Sequence, residues 1–107
     1  MTKFANVTVA VVATLLMAGT MSFAQTSGEA IYKSKCTNCH GATGMSDTAM
    51  AKALKVKPVT DPSVKNMGLA EMIQVTRNGM GKMQPYKGTL TDVQIKGSVE
   101  YFRTFLK

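Results

Sequence analysis

The chain has 107 residues, 45% of them hydrophobic, and thirteen Lys and Arg against six Asp and Glu give it a net charge of +7. That length suits one small domain. Its two cysteines and single histidine exclude a structural zinc site, which takes four such ligands.

The first segment has the pattern of a leader. Lys3 supplies a short positive start, and Val7 to Met17 is an apolar run broken only by Thr8 and Thr14. Ser22-Phe23-Ala24 puts small residues at the two positions a signal peptidase reads. Residues 1–24 are therefore expected to be a secretory signal peptide cleaved after Ala24, leaving residues 25–107 as the mature domain. The alternative is an uncleaved anchor, because residues 5–24 carry no charge and a stretch of about 20 residues can just span a bilayer. Thr, Asn and Gly dilute that stretch. Without Lys3 the remainder keeps twelve basic against six acidic residues, a balance of +6. A basic exported domain with no basic stripe interleaved with aromatics is expected to meet an acidic protein surface or anionic lipid rather than nucleic acid.

Glu29 to Asn38 reads as a short amphipathic helix, with Gly28, Tyr32 and Cys36 spaced by four on one face. It leads into Cys36-Thr37-Asn38-Cys39-His40, a C-x-x-C-H block that holds every Cys and His of the chain. This is the attachment pattern of a c-type haem. Two thiols on one helical turn can each add to one haem vinyl group, and the next residue, His40, can supply an axial imidazole. A disulfide at this spacing would close too short a loop to constrain the unfolded chain. A thioredoxin-like redox pair wants a βαβ setting, and no strand-like run lies nearby. A domain of about 80 residues also gains from a staple, and a covalent haem would be one.

Gly41 to Ser46 reads as a turn, and Asp47 as the cap of a short helix from Thr48 to about Leu54. Lys55 to Asn66, with two prolines, is expected to be loop. Leu69 to Asn78 is expected as a helix with Met72, Ile73 and Val75/Thr76 on its apolar face and Gly79 ending it. Gly79 to Gly88 reads as a non-helical loop. Thr91-Asp92-Val93-Gln94 is a capping box, with Leu90 and Ile95 placed as a hydrophobic staple. The helix it opens should run from Asp92 to about Leu106, with Val99, Phe102 and Leu106 recurring on its apolar face and Ile95 and Tyr101 flanking them. Gly97 within it marks a place where another helix can approach closely.

A six-coordinate haem iron needs a ligand opposite His40, and no second His exists. Methionine is the natural donor, being soft and neutral. Six remain beyond the leader: Met45, Met50, Met67, Met72, Met80 and Met83. Met72 and Met50 lie on helical faces and suit packing. Met80 and Met83 sit in the glycine-containing loop and are the candidates.

The order of these parts resembles class I cytochrome c. The carriers of the resemblance are Gly28-x-x-x-Tyr32-x-x-x-Cys36-x-x-Cys39-His40, the loop Asn78-Gly79-Met80-Gly81-Lys82-Met83-Gln84-Pro85-Tyr86, and a C-terminal amphipathic helix with an aromatic pair. The loop is similar to the Asn-Gly-x-Gly-x-Met-Pro-x-Tyr/Phe loop of small bacterial monohaem members. The likeness implies an all-α fold of about four short helices around one covalent haem c. It implies attachment through Cys36 and Cys39, and iron ligation by His40 and Met83. Gln84 stands where the family usually has Pro, which keeps Met80 as the alternative ligand. The likeness further implies that Gly28 makes room for a close contact of the terminal helices, with Tyr32 and Tyr101 packing across it. It also implies that a proline carbonyl, Pro58 or Pro62, orients His40. Ser98 departs from the pattern, where a larger apolar residue is common.

The expected role is a periplasmic, monomeric one-electron carrier with no catalytic residue, docking to redox proteins through an acidic partner surface. The alternatives are a haem subunit docked permanently to a dehydrogenase or oxidase, and a five-coordinate haem sensor or enzyme.

Overall fold

The computed structural model describes residues 28–107, so the expected signal peptide lies outside the described residues. Within them the chain is helical, with five helical stretches joined by irregular loops.

The first stretch, α1, covers residues 28–40. It is not the uniform helix expected. A π-helical segment, Tyr32–Cys36, sits between α-helical turns and precedes Thr37–His40. The amide of Thr37 reaches back five residues to the Tyr32 carbonyl. The Thr37 hydroxyl donates to the Lys33 carbonyl, inside the widened turn. One extra residue in a turn rotates everything after it by about 100°. With that offset, Tyr32, Cys36 and His40 all border one space beside the helix. Tyr32 is 1% exposed, and its hydroxyl donates to the Gly41 carbonyl at 2.6 Å, tying the turn after the helix back onto it.

The second helix, α2, is Ala49–Leu54, and its cap is Thr48 rather than Asp47. The Thr48 hydroxyl accepts from the Ala51 amide at 3.0 Å and donates to the Asn38 carbonyl. That second bond decides the register, because it lets one side chain both cap α2 and hold it to α1. The segment expected as loop contains a one-turn helix, α3, Pro62–Lys65. Asp61 caps it, accepting from the Ser63 amide at 2.9 Å, and Pro62 fills the first helical position, where no amide is needed.

The fourth helix, α4, is Leu69–Asn78, with the bounds the pattern predicts. Met72 and Thr76 are buried. Gly79 ends it at φ +78°, and a Cβ there would lie 2.8 Å from the Met83 carbonyl oxygen. Only glycine fits both the conformation and the space.

The last helix, α5, is Asp92–Arg103, followed by a 3-10 turn, Thr104–Leu106. Both bonds of the capping box form: the Gln94 amide donates to the Thr91 hydroxyl at 3.2 Å, and the Thr91 amide to Gln94 Oε1 at 2.9 Å. Leu90 packs against the cluster that contains Ile95, as the staple predicts.

That cluster, Met72, Tyr86, Ile95 and Val99, joins α4, α5 and the loop between them. Ile95 is fully buried, which is worth about 1.5–3 kcal/mol relative to leaving it in water. A second contact packs α1 on α5. Tyr32 stacks near Tyr101, Phe102 and Phe105 at ring separations of 5.2, 6.0 and 5.5 Å. Phe102 links the two contacts, packing against the cluster and against the rings of Tyr32 and of His40 at the end of α1.

Candidate functional site

The helices frame an apolar cavity of about 330 Å³, within the range of small-molecule sites. Helix α1 brings Cys36 and His40 to it, and the 79–90 loop brings Met80 and Met83. Met72, Val75, Val99 and Phe102 supply apolar wall from α4 and α5. Cys39 is partly buried and is not among the lining residues. So three of the four expected site residues converge on one cavity, and the fourth lies one turn along the same helix.

The local chemistry of each residue follows from its setting. His40 packs its ring 5.2 Å from that of Phe102. Burial holds its imidazole below the ordinary value, which keeps it neutral near pH 7, the form that binds a metal. Its Nδ1 is buried without a hydrogen-bond partner. Neither the Pro58 nor the Pro62 carbonyl is its acceptor, so the proline contact that the family likeness implies is not made here. The Cys36 thiol is pushed up to about 11, first by burial and then by Cys39. Such a thiol is protonated at neutral pH, which argues against a low-pKa redox pair. Both cysteines are free. Among the described residues no group of three His, Cys, Asp or Glu comes together as a metal site.

The two candidate methionines differ in burial. Met80 is 56% exposed, whereas Met83 is partly buried and packs against the core cluster. Their backbones pair across a tight turn, Met80 amide to Met83 carbonyl at 3.0 Å and the reverse at 2.9 Å. That turn ties the two backbones together while their side chains differ in burial.

Tertiary structure adds Lys55 and Lys57, which the sequence did not single out, to Lys82, which directly precedes Met83 in the chain. Lys55, Lys57 and Lys82 are the charged members of the cavity lining. Ser98 also lines it, with its hydroxyl turned to the Ile95 carbonyl at 2.9 Å, so the small side chain that departs from the family pattern leaves room on this wall. No periodicity joins the three lysines, because Lys55 and Lys57 follow α2 whereas Lys82 sits in the 79–90 loop.

These residues fit a haem. The wall is apolar, two thiols are unpaired, an imidazole is buried neutral with an unsatisfied nitrogen, and a partly buried thioether faces the same cavity. The lysines suit a ligand whose edge carries carboxylates.

Comparison with known proteins agrees with this chemistry. Residues 23–102 match the family model described as cytochrome c oxidase, cbb3-type, subunit III. Among solved structures, the c-type cytochrome KustC0563 is similar at 26% identity and TM-score 0.66, over 73% of this chain and 95% of that one. Cytochrome c6C from Synechococcus sp. PCC 7002 shares the fold at 19% identity and TM-score 0.56, over 73% of this chain and 92% of its own. Cytochrome cL from Methylophaga aminisulfidivorans does so at 20% identity and TM-score 0.58, over 82% of this chain and 59% of its own. No curated protein is significantly similar to the chain.

Proposed function

Because the chain belongs to the c-type cytochrome family of cbb3-type cytochrome c oxidase subunit III, and has the class I cytochrome c fold, we propose that it is a periplasmic one-electron carrier with a single His/Met-ligated haem c. The observation that carries this reading is the convergence of Cys36, His40 and Met83 on one apolar cavity.

Cys36 and Cys39 would hold the haem through two thioethers, and His40 and Met83 would hold its iron. Bound there, the haem supplies a reversible one-electron couple. The chain's own residues do the rest. Burial keeps His40 unprotonated and available as a ligand. The thioether of Met83 is a neutral, soft donor that favours the reduced metal. Apolar side chains from α4 and α5 exclude water, so little solvent must reorganise when charge changes. With His40 and Met83 both holding the metal, the chain would leave no place for a substrate, which separates this reading from a five-coordinate sensor or enzyme.

Export is supported by the leader pattern and by a family match that begins at residue 23, near the expected cleavage point. Among the described residues no helix is long and apolar enough to cross a membrane. Lys33, Lys35, Lys82 and Lys87 are exposed, and Lys82 borders the cavity. They favour an acidic docking surface on the redox partner. Lys33 contributes less, because it pairs with Glu29 at 2.7 Å. The family's description favours a second reading, a haem subunit docked permanently to an oxidase.

Absorption spectra of the purified protein, oxidised and reduced, test the proposal. The expected result is a sharp α-band of c-type haem on reduction, a weak far-red ferric band from sulfur–iron ligation, and no uptake of carbon monoxide. Prompt carbon monoxide binding by the reduced protein would favour the five-coordinate alternative.

A further inference from the structure

The 79–90 loop carries Met83, while α1 carries Cys36 and His40. How the loop is held against α1 decides how firmly a thioether on one can face an imidazole on the other. Most anchors of the loop lead elsewhere. The Tyr86 amide donates to Thr76 O at 3.1 Å and the Lys87 amide to Arg77 O at 3.2 Å, both on α4. Among the described residues a single hydrogen bond links the loop to α1. The Tyr86 hydroxyl donates to the Lys35 carbonyl at 3.3 Å, across 51 residues of sequence and immediately before Cys36. The same hydroxyl accepts from Gln84 Nε2 at 3.1 Å.

Gln84 is the residue at which the loop departs from the family pattern, in which Pro follows the methionine. The pattern also accepts Phe at position 86. Here Gln84 and Tyr86 occur together and touch. A proline would stiffen the backbone directly after Met83. Without it that position is freer, and the Gln84 side chain is placed to restore order by fixing the Tyr86 hydroxyl. Tyr86 is 9% exposed, so its ring packs in the core while its hydroxyl reaches α1.

We propose that Tyr86, oriented by Gln84 and bonded to the Lys35 carbonyl, is a strap that holds the methionine loop closed on the haem-binding helix, which makes it the positioning residue for Met83. This rests on the His40/Met83 ligation proposed above. The strap governs a local opening. An external ligand can reach ferric iron only when Met83 has moved away, so its apparent affinity scales with the fraction of open loop.

Imidazole is the probe, titrated into the ferric holoprotein and followed by its absorption spectrum. Tyr86→Phe keeps the packed ring and removes the strap. One neutral hydrogen bond lost from the closed state should tighten imidazole binding about fivefold. Gln84→Ala, at an exposed position, should tighten it by a smaller factor. The double variant should match Tyr86→Phe, because Gln84 acts through the hydroxyl. If Tyr86→Phe lowers the melting temperature but leaves imidazole affinity unchanged, Tyr86 only stabilises the fold and the strap is wrong. Full additivity in the double variant also overturns it. Should Tyr86→Phe fail to fold, unchanged imidazole affinity in Gln84→Ala decides against it. Met83→Ala separates the two claims. If that variant binds imidazole no more readily than the native protein, the ligand assignment itself has failed and the strap falls with it.

Discussion

A methyl group added to Gly28 would lie 2.6 Å from the carbonyl oxygen of Gly97, so α1 and α5 meet backbone to backbone. The nearest atoms are all main chain, at 2.6, 2.8 and 3.2 Å, and cannot turn aside as a side chain would. Gly28→Ala should therefore destabilise the holoprotein by about 1–3 kcal/mol, the usual cost of overpacking. Gly88→Ala is the control, because nothing lies within 4 Å of a Cβ at that position. Denaturant melts of the two variants check the difference. Equal stabilities would mean that the helices separate at little cost.

Removal of the thiols tests the attachment. Cys36→Ala or Cys39→Ala should each leave one thioether and shift the reduced α-band, while the double variant should lose covalent haem altogether. Acid–acetone extraction reads this directly. Haem that extracts freely from the native protein would overturn covalent attachment.

Burial separates the two methionines of the loop. Met83→Ala should remove the far-red ferric band, lower the reduction potential and open the reduced iron to carbon monoxide. Met80→Ala, at a largely exposed side chain, should do none of these. The opposite pattern would move the ligand to Met80.

Charge reversal tests docking. Lys35→Glu and Lys82→Glu should slow electron transfer to an acidic partner and flatten its dependence on ionic strength. Lys65→Glu and Lys107→Glu, farther along the chain from the C-x-x-C-H block and from Met83, should do less. A rate insensitive to salt in the native protein and the double reversal would favour the permanently docked subunit.

Acid sensitivity has a local source at α3. Hydrogen bonds from the Ser63 hydroxyl and amide hold the Asp61 carboxyl below its usual value. A carboxylate held down in the folded state adds stability that is present above the unfolded value, about 3.9, and is lost as pH falls through the folded one. Asp61→Ala should thus lower stability at pH 7 and make it fall less steeply on acidification. Melts at a series of pH values check the slope, and an unchanged slope would show that the cap contributes nothing.

The local chemistry of this chain is written in its sequence. The bounds of α4, the Thr91–Gln94 capping box and the C-x-x-C-H block all depend on residues three or four apart, so spacing alone determines them. Asp61-Pro62 carried the signal for α3 as well, in a cap followed by a proline at the first helical position, although two prolines in a polar stretch read more simply as loop. Asp47 and Thr48 are both capable caps, and the carbonyl of Asn38, ten residues away, decided between them. The different burial of Met80 and Met83, the convergence of Lys55, Lys57 and Lys82, and the bond from Tyr86 to Lys35 have no local signature. Each arises where segments distant in the chain are pressed together around α5. A side chain's burial and partners are properties of that packing, and no spacing within one segment encodes them.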